Sequence, residues 1–231
     1  MNAETELATG ICVETKGLLF DMDGVLIKSI GSVERCWKRW CKIFDVPNAE
    51  NFEVQHGVRA MDIARGLKPE WDEAQLAHGL QVIEDMEIED TGDLIVLPGV
   101  KALLEKLPPE RWAIVTSATH RLMVGRLSAA GLPVPARLIA ADMVERGKPD
   151  PEPYRRGAEL LGFRPEECVV VEDAPSGVGA GLAAGCRVLG VLGTHEASEL
   201  LAATWVAESL EEIAVTVVAD GLQLRFSQVG G

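Results

Sequence analysis

Positive charge is what this chain has least of: 22 lysines and arginines stand against 36 aspartates and glutamates, a formal net charge of -14 at pH 7. Nucleic-acid backbones and anionic membranes are gripped by clustered Lys and Arg, so neither is an expected partner, and a solvated acidic surface is the plain reading of the surplus. Long apolar runs are missing too. None reaches the roughly 20 residues that span a bilayer, and Met1 to Thr9 have neither the basic start nor the apolar stretch of a secretory signal. The five cysteines, Cys12, Cys36, Cys41, Cys168 and Cys186, are odd in number and scattered, with no Cys-x-x-Cys pair and no histidine at metal-binding spacing. The expectation is an unexported monomer in the reducing cytoplasm. No internal repeat or low-complexity stretch interrupts the chain.

What is present is globular composition, 47% hydrophobic and 25% charged, well away from the regime of disorder. A chain of 231 residues has room for one full core and a modest additional module. Four short apolar runs each end abruptly in polar or small residues: Gly17-Leu18-Leu19-Phe20 before Asp21, Trp112-Ala113-Ile114-Val115 before Thr116-Ser117, Cys168-Val169-Val170-Val171 before Glu172-Asp173, and Arg187 to Leu192. Each reads as a buried strand. Helical periods lie between them: Val100, Leu103, Leu104 and Leu107 share one face, as do Tyr154, Ala158 and Leu161, with Gly131 and Gly162 at helix ends and Pro175 at a helix start. Strands alternating with helices predict an α/β fold, a Rossmann-like doubly wound parallel sheet with ligands at the carboxyl ends of its strands.

From Lys28 to Leu97 the alternation breaks. Val33, Trp37, Trp40, Cys41 and Phe44 keep helical spacing, Trp71 to Glu89 is helix-prone, and no strong strand lies between. These residues predict a small helical module, 28–97, inserted into a core domain formed by 15–27 and 98–231, with Pro98-Gly99 marking the return and residues 1–14 a loosely held tail. Val215 to Val218 and Leu222 to Phe226 flank Ala219-Asp220-Gly221 as a hairpin. Trp37, Trp40 and Trp71 read as packing, and the acid-rich run Glu84 to Asp90 as a solvated helix face.

Two carboxylates two residues apart at a strand end are hard to explain by packing. Asp21 has the chemistry of a nucleophile toward phosphorus, and Asp23 that of an acid that protonates the leaving oxygen and then a base toward water, with Gly24 permitting a tight turn. An aspartate-rich turn with nothing bound is the plainer alternative, since calcium loops share Asp-x-Asp-Gly. Glu172 and Asp173 could hold Mg2+, which takes oxygen ligands, or could simply cap the helix that follows. Lys148, between Gly147 and Pro149, would keep Asp21 ionised and balance charge on a phosphoryl group, unless it is one more surface lysine. Thr116 and Ser117 offer hydroxyls and N–H groups for phosphate oxygens, or an ordinary helix start.

In this order, each at the end of an apolar strand, these pieces resemble the haloacid dehalogenase-like hydrolases over residues 17 to 205. Asp21-Met22-Asp23-Gly24-Val25 looks like the first motif of that superfamily, Ser117 its second, Lys148 its third and Glu172-Asp173 its fourth. The resemblance implies that the main-chain carbonyl of Asp23 joins Asp21 and Asp173 around magnesium, with Glu172 a ligand or a support for one. It also implies that 28–97 is the superfamily's helical cap. Dehalogenases, phosphonatases and transport ATPases lack the second aspartate, so Asp23 implies phosphate-ester chemistry; Val25 stands where many phosphatases have threonine. Val96-Leu97-Pro98-Gly99, Arg111 to Ser117, Gly147 to Tyr154 and Glu172 to Gly177 are similar to glycerol-3-phosphatases and 2-deoxyglucose-6-phosphatases. So is His56-Gly57-Val58-Arg59, where His56 and Arg59 either contact substrate or are a satisfied histidine and an exposed arginine. The implied activity is Mg2+-dependent hydrolysis of a small phosphorylated metabolite. A sugar-phosphate mutase of the β-phosphoglucomutase type and a phospho-acceptor regulatory or binding protein are the alternatives.

Overall fold

A computed structural model of the chain describes residues 10–229. β1 (Ile11–Thr15) and β2 (Gly17–Phe20) open the chain, and β3 (Ile27–Lys28) leads out to helices α1 (Ile30–Ile43), α2 (Ala60–Leu67) and α3 (Glu73–Glu89). β4 (Ile95–Val96) returns, followed by α4 (Val100–Lys106), β5 (Trp112–Val115), α5 (His120–Ala129) and β6 (Leu138–Ile139). α6 (Glu152–Leu161), β7 (Cys168–Glu172), α7 (Pro175–Ala184), β8 (Arg187–Val191) and β9 (Trp205–Ala207) complete the alternation, and β10 (Ala214–Val218) and β11 (Gly221–Phe226) end it.

Six strands form one parallel sheet in the order β6-β5-β2-β7-β8-β9. The chain winds outward from β2 to β6, then restarts beside β2 at β7 and winds the other way. The order therefore reverses between β2 and β7, and ligands bind such sheets at this switch point, beyond the carboxyl ends of the strands. The four short apolar runs are explained by burial on both faces. Leu18, Phe20, Ile114, Val169 and Val171 pack with Leu103, Leu122 and Leu127 on one side. Leu19, Ala113, Val115 and Val170 pack with Tyr154, Ala158, Leu161 and Val178 on the other. The strands that the sequence concealed, β6 and β9, are two and three residues long, too short to show a pattern.

Helices α1, α2 and α3 enclose a separate apolar cluster of Cys36, Trp37, Trp40, Cys41, Ala64, Leu76 and Ile83. Trp40 Nε1 donates to the Gly79 carbonyl at 2.8 Å and its ring lies 5.5 Å from that of Trp71. The tryptophans are packing residues, as their spacing suggests. α3 starts at a reciprocal cap in which Asp72 accepts from the Gln75 N–H and Gln75 accepts from the Asp72 N–H. β3 and β4 pair antiparallel where the helical layer leaves and rejoins the sheet.

Two expectations need correction. Of the expected tail, residues 1–9 lie outside the described residues, but Ile11–Thr15 is a strand, paired with β11, which also forms the expected hairpin with β10. Val13 is 4% exposed and belongs to the main core, so hydrophobic burial and a full ladder of hydrogen bonds hold this segment. The acidic run Glu84 to Asp90 is a solvated face only in part, since Glu89 is exposed but the other acids have partners. Glu84 and Asp85 pair with Arg121 of α5, Asp90 pairs with Arg35, and Glu87 is 5% exposed against Arg126.

Val13→Asp should therefore destabilise the fold by about 3 kcal/mol in denaturant titration, the scale of an unpaired charge in a core. A change below about 0.5 kcal/mol, normal for a solvated surface site, would mean that the segment is a tail after all.

Candidate active site

The carboxyl ends of β2, β5 and β7 bring four of the predicted groups into contact. Asp21 follows β2 directly, and its N–H donates to the Val171 carbonyl at 3.0 Å, so the neighbouring strand fixes where it emerges. Glu172 is the last residue of β7 and Asp173 the next. Lys148 reaches in from the loop before α6; its Nζ donates to Asp21 Oδ1 at 2.5 Å, Glu172 Oε1 at 2.7 Å and the Val115 carbonyl at 3.0 Å. All three ammonium hydrogens are engaged, and the side chain is 1% exposed. Lys148 is thus a fixed buried cation, not a surface lysine.

Glu172 is engaged just as fully. Its Oε1 accepts from Lys148 and from the hydroxyl of Tyr154, the chain's single tyrosine, at 2.6 Å; its Oε2 accepts from the N–H groups of Asp173 and Ala174. Asp173 is 2% exposed, and its Oδ2 has no hydrogen-bond partner. Gly24, at φ 87°, and Gly177 make room for these carboxylates: a Cβ on the first would meet the Asp173 carboxylate, and on the second that of Glu172.

One ligand oxygen from each of Asp21, Glu172 and Asp173 can lie within 4.8 Å of the others. Three buried carboxylates around one ammonium leave an excess of negative charge. Burial pushes the Asp21 carboxyl above its usual range, with Lys148 opposing, and pushes Asp173 well above it, with the charge of Glu172 adding. Burial works against the Lys148 cation, but Asp21 and Glu172 outweigh it and hold its ammonium above the usual range. The donor set is all oxygen, and the orphaned Asp173 Oδ2 is an atom that a hard cation would satisfy. The residues fit Mg2+.

A cleft of about 160 Å³ opens over Asp21 and Asp23, between the sheet ends and the helical layer. Thr116, Ser117, His56 and Arg59 all line it. Thr116 is buried and its hydroxyl accepts from the Ala118 N–H at 3.1 Å. Ser117 donates to the Gly57 carbonyl at 2.7 Å, and Ser176 to the His56 carbonyl at 3.2 Å. His56 is half-buried, its ring 6.3 Å from that of His195; burial lowers its basicity and His195 lowers it further. Arg59 is not exposed, as its plainer reading had it. It is 8% exposed, and its guanidinium donates to Asp62 and to the carbonyls of Val144 and Glu145.

Asp23 sits on the cleft wall. Its Oδ1 accepts from Ser29 at 2.6 Å and its Oδ2 from Arg126 at 2.7 Å. Ser29, Arg126, Tyr154 and Thr194, whose hydroxyl lies beside Asp173, were not singled out for this site from sequence. Arg126 did carry a signal: an arginine on the same face as Leu122, Met123 and Leu127 is buried with them.

Residues 15–185 match the family model described as haloacid dehalogenase-like hydrolase. The chain belongs to this family. Hexitol phosphatase A of Escherichia coli is 41% identical over 89% of this chain and 96% of its own. Glycerol-1-phosphate phosphohydrolase 2 of Saccharomyces cerevisiae is 32% identical over 80% of this chain and 78% of its own. Among solved structures, a hydrolase from Pseudomonas syringae superposes with a TM-score of 0.77 at 25% identity, covering 85% of this chain and 94% of that one. The doubly wound sheet is thus the haloacid dehalogenase-like core, and the acid cluster lies at its switch point. Among the described residues no helix is long and apolar enough to cross a membrane.

Glu87, on the cleft wall, has its carboxyl pushed up to about 7 from an ordinary 4.5, by burial first, with Arg126 opposing and the charges of Asp23 and Glu84 adding. A raised folded value means that this group favours folding below its unfolded value and that the contribution is lost as pH rises through the folded one. Glu87→Gln removes the dependence, so its unfolding midpoint relative to wild type should be higher at about pH 8 than at about pH 5. A pH-independent difference would show that Glu87 titrates normally.

Proposed function

We propose that the protein is a Mg2+-dependent phosphatase of small sugar or polyol phosphates, working through a phosphorylated Asp21. The observation that carries this reading is the buried contact of Asp21, Lys148 and Glu172 beside the unpartnered Asp173 oxygen, all under a small cleft. Hexitol and glycerol phosphates are the substrate class suggested by the names of the relatives, and a cleft of about 160 Å³ suits small molecules.

Asp21 attacks phosphorus, forming an acyl-phosphate bond as the ester P–O bond breaks, and Asp23 gives its proton to the leaving alkoxide. Water then attacks the same phosphorus; Asp23 takes a proton from it, and the bond to Asp21 breaks to release phosphate. Lys148 places a fixed positive charge against the nucleophile and the incoming phosphoryl oxygens. The N–H groups at Ser117, with Thr116 behind them, receive phosphate oxygens, and the Ser117 hydroxyl, which donates to the Gly57 carbonyl, joins them when it turns from that carbonyl to the phosphate. Asp21, Asp173 and the Asp23 carbonyl would hold Mg2+, which offsets repulsion between nucleophile and phosphate. Glu172 serves the metal indirectly: with both oxygens engaged, it orients Lys148 and the Asp173 backbone. His56 contributes to the substrate wall, whereas the engaged donors of Arg59 anchor the loop from the helical layer, residues 28–97, which acts as a cap on the core. Five free thiols, four of them buried, suit the reducing cytoplasm.

With magnesium and a panel of hexitol, glycerol and deoxyhexose phosphates, the expected phosphorus product by NMR is inorganic phosphate, not an isomerised sugar phosphate. Asp21→Asn should reduce turnover by at least about a thousandfold, the scale of losing a nucleophile, and a chelator should reversibly abolish it. Turnover that survives Asp21→Asn would sink the reading.

A further inference from the structure

Arg126 stands between two carboxylates that come from opposite sides of the cleft. It projects from α5, is 3% exposed, and donates from Nη1 to Asp23 Oδ2 at 2.7 Å. On its other side Nη2 lies 3.3 Å from Glu87 Oε2 on α3, in the helical layer. Nε and Nη2 are buried without any hydrogen-bond partner, so this guanidinium is held by charge more than by directed bonds. Asp23 meanwhile receives a hydrogen on each oxygen, from Ser29 and from Arg126, and these two donors fix the plane of its carboxyl group. The lone pairs left over are those available to substrate and water.

We propose that Arg126 is a positioning residue for Asp23, and that Glu87 ties its hold on Asp23 to the position of the helical layer. The inference rests on the acid/base role given to Asp23 above. An acid that protonates a leaving oxygen must be aimed within hydrogen-bond reach of it, and small errors of aim are costly. Ser29 alone, rotating about a single C–O bond, leaves the carboxyl free to swing; the rigid guanidinium at the other oxygen removes that freedom. Arg126 in turn needs an anchor, because a buried arginine with unengaged donors is drawn to whichever carboxylate is nearer. Asp23 belongs to the sheet and Glu87 to the helical layer, so drawing α3 away from α5 leaves Arg126 to Asp23 alone, and bringing them together divides it. The aim of the acid follows the position of the layer above it.

A structural staple and a positioning residue differ in what they do to different esters. p-Nitrophenolate leaves without a proton, whereas an alkoxide does not, so a defect in Asp23 appears in kcat/KM for alkyl phosphates and far less in that for p-nitrophenyl phosphate. In the full-length protein with magnesium, Arg126→Lys should lower kcat/KM for the best alkyl phosphate of the panel about 10- to 100-fold, within the range of acid catalysis, and for the aryl ester by less than about threefold. Glu87→Gln should show the same bias at smaller size, and it gives the readout if Arg126→Lys fails to fold. In an Asp23→Asn background either substitution should add almost nothing, because its effect passes through Asp23. Equal losses on both esters, or losses that multiply in the double variant, would overturn the proposal and leave the phosphatase reading standing. An alkyl rate indifferent to Asp23→Asn would overturn both.

Discussion

The ammonium of Lys148, buried among Asp21, Glu172 and the Val115 carbonyl, is the contact on which the architecture around the site depends. Ions of this kind cost several kcal/mol each to take out of water, and only close, fully engaged partners offset that. Every partner here comes from a different strand end: Asp21 from β2, Val115 from β5, Glu172 from β7. The parallel sheet is what brings the three ends to one point, and the reversal of strand order between β2 and β7 leaves the space above them open. Tyr154, from α6 under the sheet, completes Glu172. One helix below, three strands and one loop all converge on a few atoms, so the site is as rigid as the core that carries it.

That rigidity accounts for the division of labour among the acids. Glu172 has four donors on its two oxygens and is fully buried, and it holds other groups in place. Asp173, one residue later, points an unpartnered oxygen into the cluster. Two adjacent carboxylates thus differ in chemistry because Glu172, the last residue of β7, has both oxygens engaged, whereas Asp173, just past the strand, keeps one oxygen without a partner. Asp21 and Asp23 differ through their partners. Both line the cleft, but the first is held against Lys148, whereas the second is held by a serine and an arginine.

The sequence was most legible where burial is symmetrical. β2, β5, β7 and β8 are apolar on both faces, and their polar endings mark the carboxyl edge, so Asp21, Thr116, Glu172 and Asp173 were readable as one edge before any contact was known. Lys148 was readable only as an oddly constrained lysine, because its partners lie 127, 33 and 24 residues away. Strand β1 was lost because it alternates exposed and buried residues beside an acidic start, which resembles a tail more than a strand. Arg126 and Glu87 escaped for a related reason. Each lies on the apolar face of its own helix, Arg126 with Leu122 and Met123 and Glu87 with Leu76 and Ile83, but only the packing of α3 on α5 shows that the two pair with each other.

The junction between the helical layer and the sheet follows a different rule from either interior. The layer has its own apolar cluster, centred on Trp37 and Trp40, and beside the packing of Ile88 on the core it meets the sheet side through charges and carbonyls: Arg121 with Glu84 and Asp85, Arg59 with the carbonyls of Val144 and Glu145, and Ser117 with that of Gly57. Exposed ion pairs contribute little to stability, and water can replace both halves of each when they part. An apolar junction would instead expose core surface at a cost proportional to its area. The buried Arg126–Glu87 pair is the exception, since it cannot be parted without leaving a charge uncompensated. That burial sets the contact beside Asp23 apart from the exposed pairs of Arg121 with Glu84 and Asp85 at the same junction.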